Sequence, residues 1–117
     1  MTQKQNLGAL GEKAAAEYLE SLGYKILIKN WRCRFGEVDI VATEGDQTVF
    51  VEVKTRSGSG FGHPFEAITA AKVRSMRKTA NAYCFAHRVG PSIRLDAIAV
   101  YLRGGQTSVE HLKQVFR

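Results

Sequence analysis

Apolar residues recur at helical spacing over residues 7–22. Leu7, Leu10, Ala14, Ala15, Tyr18, Leu19 and Leu22 share one stripe, and Gly23 stands where a helix-terminating glycine belongs. The period then changes to two: Tyr24, Ile26 and Ile28 alternate with Lys25 and Lys29, predicting a strand over 24–31. Strands over 37–43 and 48–55 flank Glu44-Gly45-Asp46-Gln47. The Gly/Ser-rich stretch 57–62 reads as a mobile loop. A second helix starts near Pro64 or Thr69 and runs to about His87, followed by a strand over 93–102. Arg103-Gly104-Gly105-Gln106 then turns into a last strand over 109–116. The order α-β-β-β-α-β-(β) predicts an α/β fold, a mixed sheet flanked by helices, as one domain over 1–117.

The central hairpin carries the most information. A two-residue turn at Gly45-Asp46 pairs 44 with 47, 42 with 49 and 40 with 51. One face then holds Val38, Ile40, Ala42, Val49, Val51 and Val53, all apolar and so core. The other pairs Val41 with Phe50, Asp39 with Glu52, and Glu37 with Lys54. Facing residues on antiparallel strands have Cβ atoms only ~5 Å apart, and like charges there are destabilising. An acid pair in that register suits a hard divalent cation, which takes one or two carboxylates and completes its shell with water and phosphate oxygens. A solvated hairpin face is the plainer alternative, but Val41 and Phe50 continue an apolar patch beside the acids, which places them at the edge of a covered layer. Lys54 shares their face. It could orient or deprotonate a water or balance charge on a phosphoryl oxygen; a salt bridge to Glu37 would serve equally.

On the second helix, Val73, Met76, Ala80 and Tyr83 form the inward stripe at about 100° per residue. Lys72 falls inside that sector, where a lysine needs a partner or a route to water. Carboxylates or a phosphate in the cleft would be such a partner. On the first helix, periodicity alone makes Glu12 a surface residue, since Glu17 borders the opposite edge of the stripe equally well.

Charge sharpens the picture. Among 117 residues, 17 Lys and Arg stand against 11 Asp and Glu, a net +6, which suits a polyanion. Arg74, Arg77, Lys78 and Arg88 form a basic band joined by Lys29, Arg32 and Arg34 beside the hairpin. They read either as contacts to a phosphate backbone or as a solubilising face. Trp31, Phe35 and Phe61 could stack on bases, though core or loop packing serves each as well. His63 is an auxiliary base or simply a residue at a helix start. Two cysteines, Cys33 and Cys84, with three scattered His, form no zinc pattern and read as free thiols. No apolar run approaches the ~20 residues that span a bilayer, and the polar first residues carry no secretory pattern. A cytoplasmic protein without a membrane partner is expected.

Asp39, followed on the next strand by Glu52-Val53-Lys54, resembles the core of the restriction-endonuclease-like PD-(D/E)xK nucleases. More closely, Gly36-Glu37-Val38-Asp39-Ile40 with Phe50-Val51-Glu52-Val53-Lys54-Thr55-Arg56 resembles the YraN-like family of small, mainly bacterial proteins; the Gly11-Glu12 helix and the Lys72 helix fit it too. Val38 stands where the superfamily's eponymous proline would be. The resemblance implies a restriction-endonuclease-like fold in which Asp39 and Glu52 bind Mg²⁺ or Mn²⁺ with the Val53 carbonyl, and Lys54 assists the attacking water. The pattern is also similar to archaeal Holliday-junction resolvases, which add an acid from the first helix; that makes Glu12 a member of the site, as the following helix makes Lys72.

The expectation is therefore a metal-dependent nuclease acting on DNA or structured nucleic acid. Glu12, Asp39, Glu52, Lys54 and Lys72 are its catalytic set; Arg32, Arg34, Arg56, Arg74, Arg77 and Lys78 contact the nucleic acid. Symmetric cutting of two strands would need a homodimer. Two alternatives stay open: a non-catalytic nucleic-acid-binding module on the same fold, and an assembly protein whose acids meet a partner's arginines.

Overall fold

A computed structural model describes residues 3–58, 62–90 and 92–115. Helix α1 (Gln3–Ser21) precedes three antiparallel strands, β1 (Lys25–Cys33), β2 (Gly36–Glu44) and β3 (Gln47–Arg56). A short 3-10 helix (Pro64–Ala67) leads into α2 (Ala70–His87), then β4 (Ile93–Arg103) and β5 (Gln106–Leu112). The sheet order is β1-β2-β3-β4-β5, with β3 and β4 parallel across the α2 crossover and every other pair antiparallel. The expected mixed sheet flanked by helices is thus present. Among the described residues no helix is long and apolar enough to cross a membrane.

Each helix covers one face. Ala15, Ala16 and Leu19 of α1 pack with Tyr24, Ile40, Ala42, Val49, Val51, Ile98 and Val100. On the opposite face Met76, Ala80 and Tyr83 of α2 pack on Val38, Val41, Phe50 and Leu95, with Trp31 alongside. Trp31 is therefore core, its ring edge-on to Tyr83 at 5.2 Å.

Local chemistry sets the ends. The Thr69 hydroxyl accepts the Lys72 N–H at 3.1 Å, so α2 starts at Ala70 and the Pro64 turn is a separate element. Gly104 and Gly105 both have positive φ, +58 and +75, as a type I′ hairpin requires. The tight turn pairs Arg103 with Gln106, so β5 begins three residues before the expected Val109 and ends at Leu112; Phe116 lies outside the described residues.

Three details of the hydrophobic pattern differ from expectation. Leu10 and Leu22 are exposed rather than core, because small residues (Gly11, Ala15, Ala16) form the contact and bring α1 close to the sheet. The alternation in β1 breaks at a bulge at Leu27, between Ile26 and Ile28, leaving Ile28 exposed. Val38 packs on the α2 face with Val41 and Phe50, not on the Ile40 face.

Gly11 is the point of closest approach. A Cβ there would lie 1.8 Å from Thr55 Oγ1 and 2.8 Å from Thr55 Cβ, so only glycine lets α1 lie on the end of β3. Gly11→Ala is expected to cost about 1–3 kcal/mol by overpacking, read as a lowered urea midpoint; an unchanged midpoint would show that the helix can slide without loss.

Candidate functional site

The Phe50/Val41 and Val51/Ile40 pairs form in the register expected of the hairpin, but the β2–β3 ladder ends at Ile40 and Val51. Among the described residues Asp39 has no ladder partner on either side. The β1 pairing steps from Ile40 to Val38 past Asn30, which adopts a left-handed φ of +56°. Asp39 instead turns its carboxylate on β3, where Oδ2 accepts the Val53 N–H at 2.7 Å. The strand thus leaves β3 through a side-chain bond in place of a main-chain one, and the side-chain alternation shifts there. That is why Val38 changes face.

Asp39 and Glu52 nevertheless adjoin in this gap. Burial is the largest cause pushing the Asp39 carboxyl up, to about 8; next come the shared proton and charge of Glu52, then the more distant charge of Glu12, against the opposing Val53 N–H. Glu52 is buried, and Lys72 Nζ lies 2.7 Å from its Oε2. The inward lysine on α2 therefore meets a carboxylate. That contact is close but not aligned as a hydrogen bond, so Glu52 Oε2 remains a buried acceptor without one among the described residues.

A cleft of about 320 Å³ opens here, lined by Gly8 and Glu12 of α1, Asp39 of β2, and Glu52 through Arg56 of β3. Glu12, Asp39, Glu52, Val53, Lys54 and Arg56 thus share one cavity, while Lys72 does not line it and reaches Glu52 from α2. Glu37 does not pair with Lys54; Arg32, its ladder partner across β1–β2, holds it at 2.6 Å. Among the described residues no three His, Cys, Asp or Glu side chains converge closely enough to cage a metal as they stand. The donor set still fits a hard cation, which needs only one or two carboxylates, and the buried, hydrogen-bond-free Glu52 Oε2 beside Asp39 is such a donor.

The basic residues divide into two groups. Arg56 lines the cleft, its guanidinium donating to the Thr55 carbonyl at 3.0 Å. Arg32 and Arg34 sit at the β1–β2 turn, and Arg74, Arg77 and Lys78 on the exposed side of α2; none of the five lines the cleft. His63 starts the 3-10 helix: its Nδ1 accepts the Phe65 N–H at 3.1 Å, and Nε2 lies 3.0 Å from Glu110. It is a helix-start residue rather than a base in the cleft. Cys33 and Cys84 are unpaired. Phe61 lies outside the described residues.

A second polar cluster escaped the sequence reading. Arg94, beneath α1, donates to Asp96 at 2.9 and 3.0 Å, to Tyr24 at 2.6 Å and to Glu44 at 2.7 Å. Asp96, wholly buried, also meets His111 Nε2 at 2.7 Å, and His111 Nδ1 meets the Tyr18 hydroxyl at 3.1 Å. Burial would raise the Asp96 carboxyl, but hydrogen bonds from His111, Arg94 and the Gln114 amide hold it below the usual range. The available signal was Arg94 and Asp96 two apart, on one face of an otherwise apolar strand.

The profile of the uncharacterised protein family UPF0102 matches residues 11–100, a span holding Glu12, Asp39, Glu52, Lys54 and Lys72. A UPF0102 protein from Clavibacter michiganensis subsp. michiganensis is 51% identical over 113 residues, covering 94% of this chain and 95% of that protein. One from Arthrobacter sp. is 49% identical over 117 residues (98% and 99%), and one from Chloroflexus aurantiacus 50% over 107 (90% and 87%). The chain belongs to the UPF0102 family, the YraN-like family its motifs resemble.

The raised Asp39 gives a pH signature. A carboxyl whose folded pKa exceeds its unfolded one holds its proton more tightly when folded. Without metal, its contribution to stability is therefore full below pH 3.8 and lost as pH rises through about 8. Asp39→Asn is expected to remove this component. Urea midpoints against pH for the two proteins should diverge across that window, and parallel curves would show an ordinary Asp39.

Proposed function

We propose that the protein is a divalent-metal-dependent phosphodiesterase acting on nucleic acid in the cytoplasm, a member of the restriction-endonuclease-like nucleases. The observation that carries this reading is the pairing of half-buried Asp39 with buried Glu52 at the end of a broken ladder, with Glu52 Oε2 lacking a hydrogen bond. Nothing in strand pairing calls for two acids there, and their adjacency costs free energy that Lys72, paired with Glu52 alone, offsets only in part.

Asp39 and Glu52 would hold Mg²⁺ or Mn²⁺, with the Val53 carbonyl and Glu12 available as further oxygen donors. When bound, such an ion supplies positive charge to a phosphoryl oxygen and acidifies a water. The chain's own residues do the rest. Lys54 in the cleft positions the attacking water and balances charge on the phosphoryl oxygen. As the water oxygen bonds to phosphorus and gives up a proton, the bond to the leaving oxygen breaks and that oxygen takes a proton up, so none is gained or lost overall. Lys72 orients Glu52 through its 2.7 Å contact and can transfer its charge to the phosphate. Arg56, on the same wall, steadies the backbone beside the break.

That Lys72 contact also favours a second reading. It neutralises Glu52 without any metal, as a non-catalytic nucleic-acid-binding module on this fold would need.

One experiment separates the two: calorimetric titration of Mg²⁺ and Mn²⁺ into wild type and Asp39→Ala, with cleavage of labelled single-stranded, forked and junction DNA measured in parallel. The phosphodiesterase reading expects metal binding and cleavage in wild type, and both lost in Asp39→Ala and Glu52→Gln with folding and salt-dependent DNA binding retained. DNA binding without metal uptake in wild type would establish the non-catalytic module instead.

A further inference from the structure

The outer side of α2 carries a feature the cleft does not use. Phe85 is 89% exposed, the most exposed of the described large hydrophobic residues, on the last turn of a helix whose polar face should exclude it. Large aromatics left in water usually mark a binding surface when they cluster. Phe85 has such company: with Phe35 from the β1–β2 turn, it lines an open groove of about 470 Å³ whose remaining walls are Lys78, Asn81 and Ala82. Phe35 is itself 39% exposed, and the Arg34 guanidinium lies over its ring at 4.7 Å. The turn is pinned to the helix by the Ser75 hydroxyl, which donates to the Phe35 carbonyl at 2.8 Å. Both walls of the groove are therefore fixed in place.

Charge identifies the occupant. No Asp or Glu occurs anywhere in α2, while Arg74, Lys78 and Phe85 fall within about 40° of one another around its axis, with Arg77 beside them. Arg34 adds a cation from the turn, and the nearest acid there, Glu37, is held by Arg32. A second copy docking by the same face would set these cations against themselves. A polyanion bearing flat apolar rings satisfies both aromatics and cations, and single-stranded nucleic acid is that ligand: bases stack on aromatic side chains while lysine and arginine track the backbone. A duplex keeps its bases stacked on one another and offers only phosphates.

We infer that Phe85 and Phe35, framed by Arg34, Arg74 and Lys78, form a stacking platform for unpaired bases, making the preferred ligand a nucleic acid with a single-stranded segment. This rests on the nucleic-acid reading above but not on catalysis. On α2, Lys72 faces Glu52 of the cleft, whereas Lys78 and Phe85 line the groove on the other side of the helix. The platform therefore holds unpaired strand away from the reacting phosphate and adds a preference for overhangs, flaps or gaps.

The test is binding of fluorescein-labelled single-stranded and duplex oligonucleotides of equal length, in EDTA so that cleavage plays no part. Phe85→Ala, at an exposed site, is expected to weaken single-strand binding about tenfold and duplex binding by less than twofold. Lys78→Ala should weaken both and lower the salt slope for single strands by about 0.7. Phe85→Trp should restore affinity, with its fluorescence quenched by the oligonucleotide. Equal losses on single strand and duplex, or none on either, would overturn the platform. So would Phe85→Ala turning a dimer into a monomer, by sedimentation, with oligonucleotide affinity unchanged. Failure of metal-dependent cleavage with a retained Phe85 effect would overturn the phosphodiesterase alone.

Discussion

The bond from the Val53 amide to the Asp39 carboxylate decides the shape of the cleft. An amide in the interior of a sheet must be satisfied, and the regular solution is a carbonyl of the neighbouring strand. Here a side chain takes that place, so β2 is released from β3 just where two acids meet. The gap lets α1 contribute Glu12 from one side and α2 contribute Lys72 from the other. A continued ladder would have closed the sheet over the cleft. Gly11 completes the arrangement by letting α1 reach the end of β3.

Much of this was legible in the residues because strand periodicity is rigid. Once Gly45-Asp46 fixed the turn, the pairing of 44 with 47 through 40 with 51 followed, and with it the adjacency of Asp39 and Glu52. Lys72 was legible for a similar reason: a charge inside an apolar stripe needs a partner, and the structure supplies Glu52. The face taken by Val38 was not legible, because the shift depends on one side-chain hydrogen bond that no alternation encodes. Periodicity could not separate Glu12 from Glu17. The difference, a cleft-lining residue against an exposed one, depends on where α1 touches the sheet, and a missing Cβ at Gly11 sets that contact. Nor is the exposure of Phe85 legible, because a single apolar residue on a polar helix face carries no periodic signal.

The two polar clusters solve opposite problems. Beneath α1, Arg94, Asp96, His111, Tyr24 and Glu44 form a polar cluster in which each ionised group meets hydrogen-bonding partners. Burial acts against the charge on Arg94, and its bonds to Asp96, Glu44 and Tyr24 more than offset it, leaving the guanidinium more firmly protonated than usual. In the cleft the same kinds of group are left under-satisfied, with a carboxyl driven toward its neutral form and an acceptor lacking a hydrogen bond. A fully paired cluster rigidifies, whereas a partly paired one is where an outside ligand can be bound.

The Arg94 cluster also has a consequence in time. It joins Tyr24 to Arg94, 70 positions apart, and Tyr18 to His111, 93 apart, so the end of α1 is fastened by strands made much later. On a ribosome the hairpin β2–β3 can pair as soon as it emerges, placing Asp39 and Glu52 side by side. Helix α1 can settle on β2 and β3 at that stage through Ala15, Ala16 and Leu19, but its end is clasped only once β4 and β5 exist. Contacts of such long sequence separation form slowly, so the clasp on α1 is completed last, and a chain halted before β5 would carry the acid pair beneath a helix whose end is not yet fastened.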